Sequence, residues 1–150
     1  MRENKFRAWD EEKKVMVYSE QDPYGYEWEV NKNYGVICIP FEYIDDDYGG
    51  HVCYGEHLHL MQYTGLKDKN DKEIYEGDIV RKKCNYINTG ETKIRLYKVV
   101  WKEDWCAWAL KKLGNCTQSC NMYKSELNFC EIVGNIYENP ELLEVNENDR

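Results

Sequence analysis

The stretch "LMQYTGLKDKNDKEIYEGDIV", residues 60–80, is the most regular piece of the chain, and its reading decides the fold. Leu60 to Tyr63 alternate as a strand should, and Gly65 with the "KDKNDK" run predicts a polar turn. "EIYEGDIV" then leads into a further strand, with Ile74, Ile79 and Val80 as anchors into a core. Gly77 suits a backbone conformation that a side chain would obstruct, and Asp78 suits a hydrogen bond within the turn. No nucleophile elbow, phosphate loop or helical metal motif falls inside the stretch. We therefore read it as scaffold. It joins a β-rich acidic part, residues 1–59, to residues 60–150.

Working outward, "KFRAWDEEKKVMVY" predicts a hairpin with Phe6, Ala8, Val15 and Val17 on one side and a turn over Asp10 to Lys13. Pro23 and Gly25 break any long element in the segment that follows, and "YGVICIPF" predicts a buried strand ending near Pro40. On the other side, "EGDIVRKKCNYI" reads as a strand and "NTGETK" as a hairpin turn. "IRLYKVVWKED" and "WCAWALKKL" alternate as paired strands around Glu103 and Asp104. "LNFCEIVGNIYE" is a further strand with Gly134 as a bulge. Asn139 has the character of an N-cap, with Pro140 opening a short C-terminal helix. The chain is mainly β. Some five short strands between about residues 75 and 138 suffice for a small closed barrel, which removes exposed edges.

Composition agrees with one domain or two small ones in 150 residues. Hydrophobic content is 42%, and 14% aromatic residues, led by 13 tyrosines, suit strands packed on one side and wet on the other. No run approaches the roughly 18 apolar residues that cross a bilayer, and the first residues lack a signal-type apolar core. A cytosolic location without membrane contact is the expectation. The seven cysteines (Cys38, Cys53, Cys84, Cys106, Cys116, Cys120, Cys130) lack CxxC spacing and read as reduced thiols.

The net charge of −8 is unevenly spread. Residues 1–59 hold 6 basic and 13 acidic side chains, or −7, whereas residues 79–124 hold 10 basic and 3 acidic, or +7. Such a split marks a partner surface or two mutually attractive halves.

Three constellations bear on chemistry. "DDDYGGHVCYGE", residues 45–56, sets Asp45, Asp47, Gly50 and Glu56 at calcium-loop positions, but Gly49 replaces a ligand and the flanks are not helical. We read it as a solvated acidic loop. His51, Cys53, His57 and His59 supply zinc-type ligands at unspecific spacing, and two polar histidines on a strand face explain them as well. Cys116 and Cys120 form a CxxxC with no environment that lowers a thiol pKa, so they read as ordinary loop cysteines.

The positive signal is "LYKVVWKEDWCAWALKK", where Tyr97, Trp101, Trp105 and Trp108 interleave with Lys98, Lys102, Lys111 and Lys112. Rings that stack on bases beside cations that meet phosphates are what single-stranded nucleic acid binds. The competing reading puts the rings in a β core and the lysines in solvent, and the overall acidity favours it. These eight residues are the candidate partner- or nucleic-acid-binding set. No catalytic residue, metal site or cofactor is assigned.

Residues 60–80, with "KFRAWD" near the start and "EIVGNIYENPELL" near the end, resemble the YopX family, small proteins encoded mostly by phages and prophages of low-GC Gram-positive bacteria. The blocks lie in the family's order and reach both ends of the chain; residues 18–57 and 84–128 carry no such match. The resemblance implies a C-terminal SH3-like barrel, a phage or prophage origin and a bacterial host cytoplasm. It brings no activity, cofactor or catalytic residue, and it admits homo-oligomers. The expectation is a non-enzymatic accessory protein that contacts a host or phage protein, with nucleic-acid binding as the alternative.

Overall fold

The computed structural model describes residues 4–21, 25–31, 35–40, 57–85, 90–114, 119–127 and 129–144. The chain forms two compact units, Asn4–Gln62 and Tyr63–Arg150, and it is mainly β.

In the N-terminal unit, β1 (Phe6–Asp10) pairs antiparallel with β2 (Val15–Tyr18) and with the first half of β5 (Leu58–Lys67). β3 (Tyr26–Asn31) and β4 (Gly35–Pro40) form a second hairpin. β3 starts immediately after Gly25, so the breakers ahead of "YEWEV" delay a strand rather than prevent one. The alternation expected of β1 is replaced by burial on both faces. Arg7, Ala8, Trp9 and Asp10 are all buried, and β1 is paired along both edges, with β2 and β5.

Burial of Asp10 is made tolerable by its partners. Lys13 N–H donates to one carboxylate oxygen at 2.8 Å, and the Tyr26 hydroxyl donates to the other at 2.5 Å. Burial pushes the Asp10 carboxyl up, but these bonds and the nearby His57 outweigh it and hold the group below the usual aspartate range.

The C-terminal unit is built on a five-stranded antiparallel sheet in the order β10-β9-β8-β7-β11. Its strands are β7 (Asp78–Asn85), β8 (Thr92–Lys102), β9 (Ala107–Lys112), β10 (Ser119–Asn121) and β11 (Cys130–Asn135). One helical turn, α1 (Lys124–Leu127), connects β10 to β11. Val80, Val99, Trp108, Leu110 and Cys130 line one face of the sheet. With Ile74, Met122 and Leu127 they make the core, flanked by Tyr97 and Ile132. Cys120 therefore stands on an edge strand paired to β9, not in a loop; three residues are too few to announce a strand in sequence. Cys116 lies outside the described residues.

Residues 60–80 explain how this sheet is finished at one edge. β5 continues through Gly65 to Lys67, into the start of the predicted turn, which forms over the rest of the "KDKNDK" run. Its pairing with β6 (Glu73–Tyr75) slips between Tyr63 and Lys67, where Thr64 Oγ1 donates to Ile74 O at 2.7 Å and accepts from Leu66 N–H. The turn itself is organised by buried Asp68. One of its oxygens accepts from Asn70 N–H at 2.8 Å and Lys72 N–H at 3.0 Å. The other accepts from Ile132 N–H at 3.0 Å, and Lys69 N–H donates to Cys130 O at 3.0 Å. The free edge of β11 is thereby capped by a turn instead of another strand, one of the ways proteins protect sheet edges.

Gly77 adopts φ +78°, donates its N–H to Val99 O and accepts from Ile136 N–H, both at 3.0 Å. A side chain there is disfavoured by the left-handed conformation. β11 does shift register between Ile132 and Gly134, the anticipated bulge. At the C-terminal end, Pro140–Glu144 is a five-residue 3₁₀ helix, with Leu142 N–H bonded to Asn139 O at 3.1 Å. The preceding turn is held by Asn135, whose side-chain oxygen accepts from Tyr137 and Glu138 N–H.

Candidate functional site

The eight candidate residues all lie on the β8–β9 hairpin, and its register separates them. Trp101 pairs with Trp108, Val99 with Leu110 and Tyr97 with Lys112. Because side chains alternate along a strand, these positions share the core-side face. Lys98 pairs with Lys111 and Lys102 with Ala107 on the opposite face. Rings and three of the four lysines are thus on different sides of the sheet. Their interleaving in sequence is the alternation of a half-buried strand.

Trp108 is in the core at 8% exposure, with Trp101 edge-on to it at 5.2 Å between ring centroids and 73° between planes. Trp101 itself stays 42% exposed, at the margin of the core. Trp105 is 45% exposed in the 3₁₀ turn Glu103–Trp105 that connects the strands, and the Lys102 ammonium sits 5.7 Å from its ring centroid. Cys106 closes that turn at φ +46°. Tyr123 joins this end of the sheet. Met122 N–H donates to Trp108 O at 3.3 Å, and the exposed Tyr123 hydroxyl accepts from the Asn121 side-chain amide at 2.9 Å. The sequence reading missed exposed Tyr123, which lies just past β10.

A second group gathers around Lys98. Burial pulls its ammonium below the usual lysine range, the neighbouring Lys111 adds to this, and Glu76 opposes it. Burial likewise pushes the Glu76 carboxyl up against the pull of Lys98. Tyr137 is raised by burial and then by Glu76. The Gly77 hydrogen bonds bring together the backbones next to Glu76, Lys98 and Tyr137, whose side chains are all partly buried. Tyr97 Oη lies 3.5 Å from Cys84 Sγ; burial first, then Cys84, raises its hydroxyl so far that it stays protonated.

The remaining candidates are placed as follows. His59 Nε2 is 3.1 Å from Glu11 Oε2, and His57 Nδ1 is 3.9 Å from Glu12 Oε1. Each histidine therefore meets a carboxylate of the β1–β2 turn. Among the described residues no group of three or more His, Cys, Asp or Glu is placed to hold a metal ion. His51, Cys53 and the acidic loop 45–56 lie outside them. Among the described residues no helix is long and apolar enough to cross a membrane.

Comparison with known proteins adds the family. Among solved structures, a crystal structure of protein EF1440 from Enterococcus faecalis is similar, at 23% identity and a TM-score of 0.56. The match covers 96% of this chain and 100% of that one, and at this identity it speaks for the fold alone. No curated protein matches. The profile described as YopX protein matches residues 5–144, a span that takes in all three sequence blocks quoted above. The chain belongs to the YopX protein family.

Proposed function

We propose that this protein is a non-enzymatic accessory protein of phage or prophage origin. On this reading it acts in the host cytoplasm by binding a host or phage protein and by self-association. The observation that carries the reading is the exposed aromatic end of the C-terminal sheet, Trp101 and Trp105. Large rings held on a rigid sheet are favoured contact residues, because they bury much area for little entropy. We also propose that the C-terminal sheet is an SH3-like barrel. Its fifth strand returns beside its first after a single helical turn, which is the strand order such a barrel requires.

Sedimentation velocity over rising concentration tests self-association, and affinity capture from host lysate tests for a partner. Trp101→Ala with Trp105→Ala is expected to weaken self-association at least about tenfold, the loss typical of central interface rings, and to release proteins that the wild type retains. A wild type that stays monomeric, and captures the same proteins as the double variant, overturns the contact reading.

A second reading, binding of single-stranded nucleic acid, is favoured by the Lys102–Trp105 contact beside exposed Trp101. It expects tryptophan quenching by single-stranded DNA or RNA that weakens with salt and is lost in Trp101→Ala and Lys102→Ala. A flat titration at low salt removes it.

A further inference from the structure

The C-terminal sheet brings two thiols to one hydroxyl. Tyr97 on β8 holds its Oη 3.5 Å from Cys84 Sγ on β7. Tyr97 and Cys120, the latter on β10, both pack against the core of this unit. Burial, then Cys84 and then Cys120 keep the Tyr97 hydroxyl protonated, and a thiol has to lie near the hydroxyl to act on it.

Strand order alone would keep these thiols apart, because β8 and β9 lie between β7 and β10. In a flat sheet three spacings of about 4.8 Å would separate the outer strands by roughly 14 Å. A disulfide needs Cα atoms within about 7 Å. The sheet therefore has to curl for both thiols to meet Tyr97, and the register shows how they share its face. Cys120 is opposite Leu110, Leu110 is opposite Val99, and Val99 is two residues from Tyr97. Cys120 Sγ donates to Leu110 O at 3.7 Å, a weak bond that costs little to give up. Both thiols are within reach of a small oxidant. Cys84 precedes exposed Asn85 at the end of β7, and Cys120 is on the edge strand. The other described cysteines are placed differently. Cys130 is in the core, Cys106 is in the exposed turn with Sγ on Glu103 O, and Cys38 belongs to the N-terminal unit.

We propose that Cys84 and Cys120 form a thiol-oxidation site that closes a disulfide across the core when a low-molecular-weight disulfide such as oxidised glutathione is present. The thiolate of one cysteine attacks that disulfide, forms a mixed disulfide and expels one glutathione thiolate. The thiolate of the other cysteine then attacks the protein sulfur of the mixed disulfide and expels the second glutathione. Two protein thiols are oxidised, one glutathione disulfide is reduced to two thiols, and the two cysteine protons end on those products. Tyr97, which keeps its proton, donates to the Cys84 sulfur once that sulfur is ionised. The product ties edge strand β10 to β7, and excess thiol reverses it. Under reducing conditions the pair rests as two thiols. These residues are separate from Trp101 and Trp105, so the site stands independently of the contact reading.

The test is non-reducing peptide mapping by mass spectrometry, on the full chain kept dilute and folded with oxidised glutathione. A Cys84–Cys120 link is expected to exceed every other linked pair at least about tenfold, because thiols held as neighbours meet far more often than distant ones. It should vanish on adding excess dithiothreitol, in Cys84→Ser and in Cys120→Ser, and persist in Cys106→Ser. Alanine at either position repeats the test if serine disturbs folding. Unfolding in urea should abolish the preference for this pair. Absence of the link in the folded protein overturns the proposal, as does a dominant Cys116–Cys120 link or an equal preference in urea.

Discussion

The two ends of the core-side face in the C-terminal unit are built from the same strands and look nothing alike. At one end Trp101, Trp108 and the turn residue Trp105 extend the core toward solvent. About 20 Å along β8, at roughly 3.3 Å per residue, Lys82, Lys93, Arg95 and Lys112 replace apolar side chains at equivalent positions. The aromatic end is organised by burial and ring contact, whereas the other end carries cations on part-buried positions. The contrast locates function where the residues depart from what packing alone would select.

The largest expected effect breaks the aromatic end. Trp108→Ala should cost about 3 to 5 kcal/mol, the usual loss for a core tryptophan, as measured by denaturant unfolding. Asp68→Ala comes next. It removes the acceptor shared by three backbone N–H groups, including that of Ile132, and should cost about 2 to 3 kcal/mol for buried donors left unsatisfied. Since β11 borders β7 at Cys130↔Lys82, hydrogen exchange should accelerate first at the cationic end and later at the Trp101–Trp108 end. Equal acceleration at both ends would show that the two do not behave as separate regions.

Much of this arrangement was legible in the sequence, for a physical reason. Strand alternation is a local signal, so β7, β8, β9, β11 and the Gly134 bulge could be read from consecutive residues. What escaped depends on residues distant in the chain. Asp68 looked like part of a polar turn because its partner Ile132 is 64 residues away. The interleaved tryptophans and lysines admitted two readings in sequence, a stacking surface or strand alternation, and the register that puts Trp101 and Lys102 on opposite faces comes from pairing with β9. The Lys82–Arg95 pair was invisible for the same reason: two unremarkable basic residues become a like-charge pair only once β7 and β8 are aligned. β10 was missed because three residues do not establish a period.

Smaller effects sharpen the contrast. Trp101→Ala should cost about 1 kcal/mol, mainly the edge-on ring contact, well below the cost at Trp108.

The smallest effect is in acid. Arg81 and then Lys69 hold the Glu131 carboxyl down to about 2. A depressed carboxyl stabilises above its unfolded value, so this contribution is present above about pH 4.3. It fades as pH falls toward about 2. Glu131→Gln should flatten that part of the acid unfolding curve, and unchanged acid sensitivity would remove Glu131 from the account.

The central claim is that the exposed tryptophans at one end of the C-terminal sheet are a contact region, and hydrogen exchange with mass spectrometry on the full chain tests it most directly. The account predicts that raising protein concentration protects Trp101 to Ala107 and leaves the far end of β7 and β8, around Lys82 and Arg95, unchanged. Equal protection at both ends, or at neither, would contradict it.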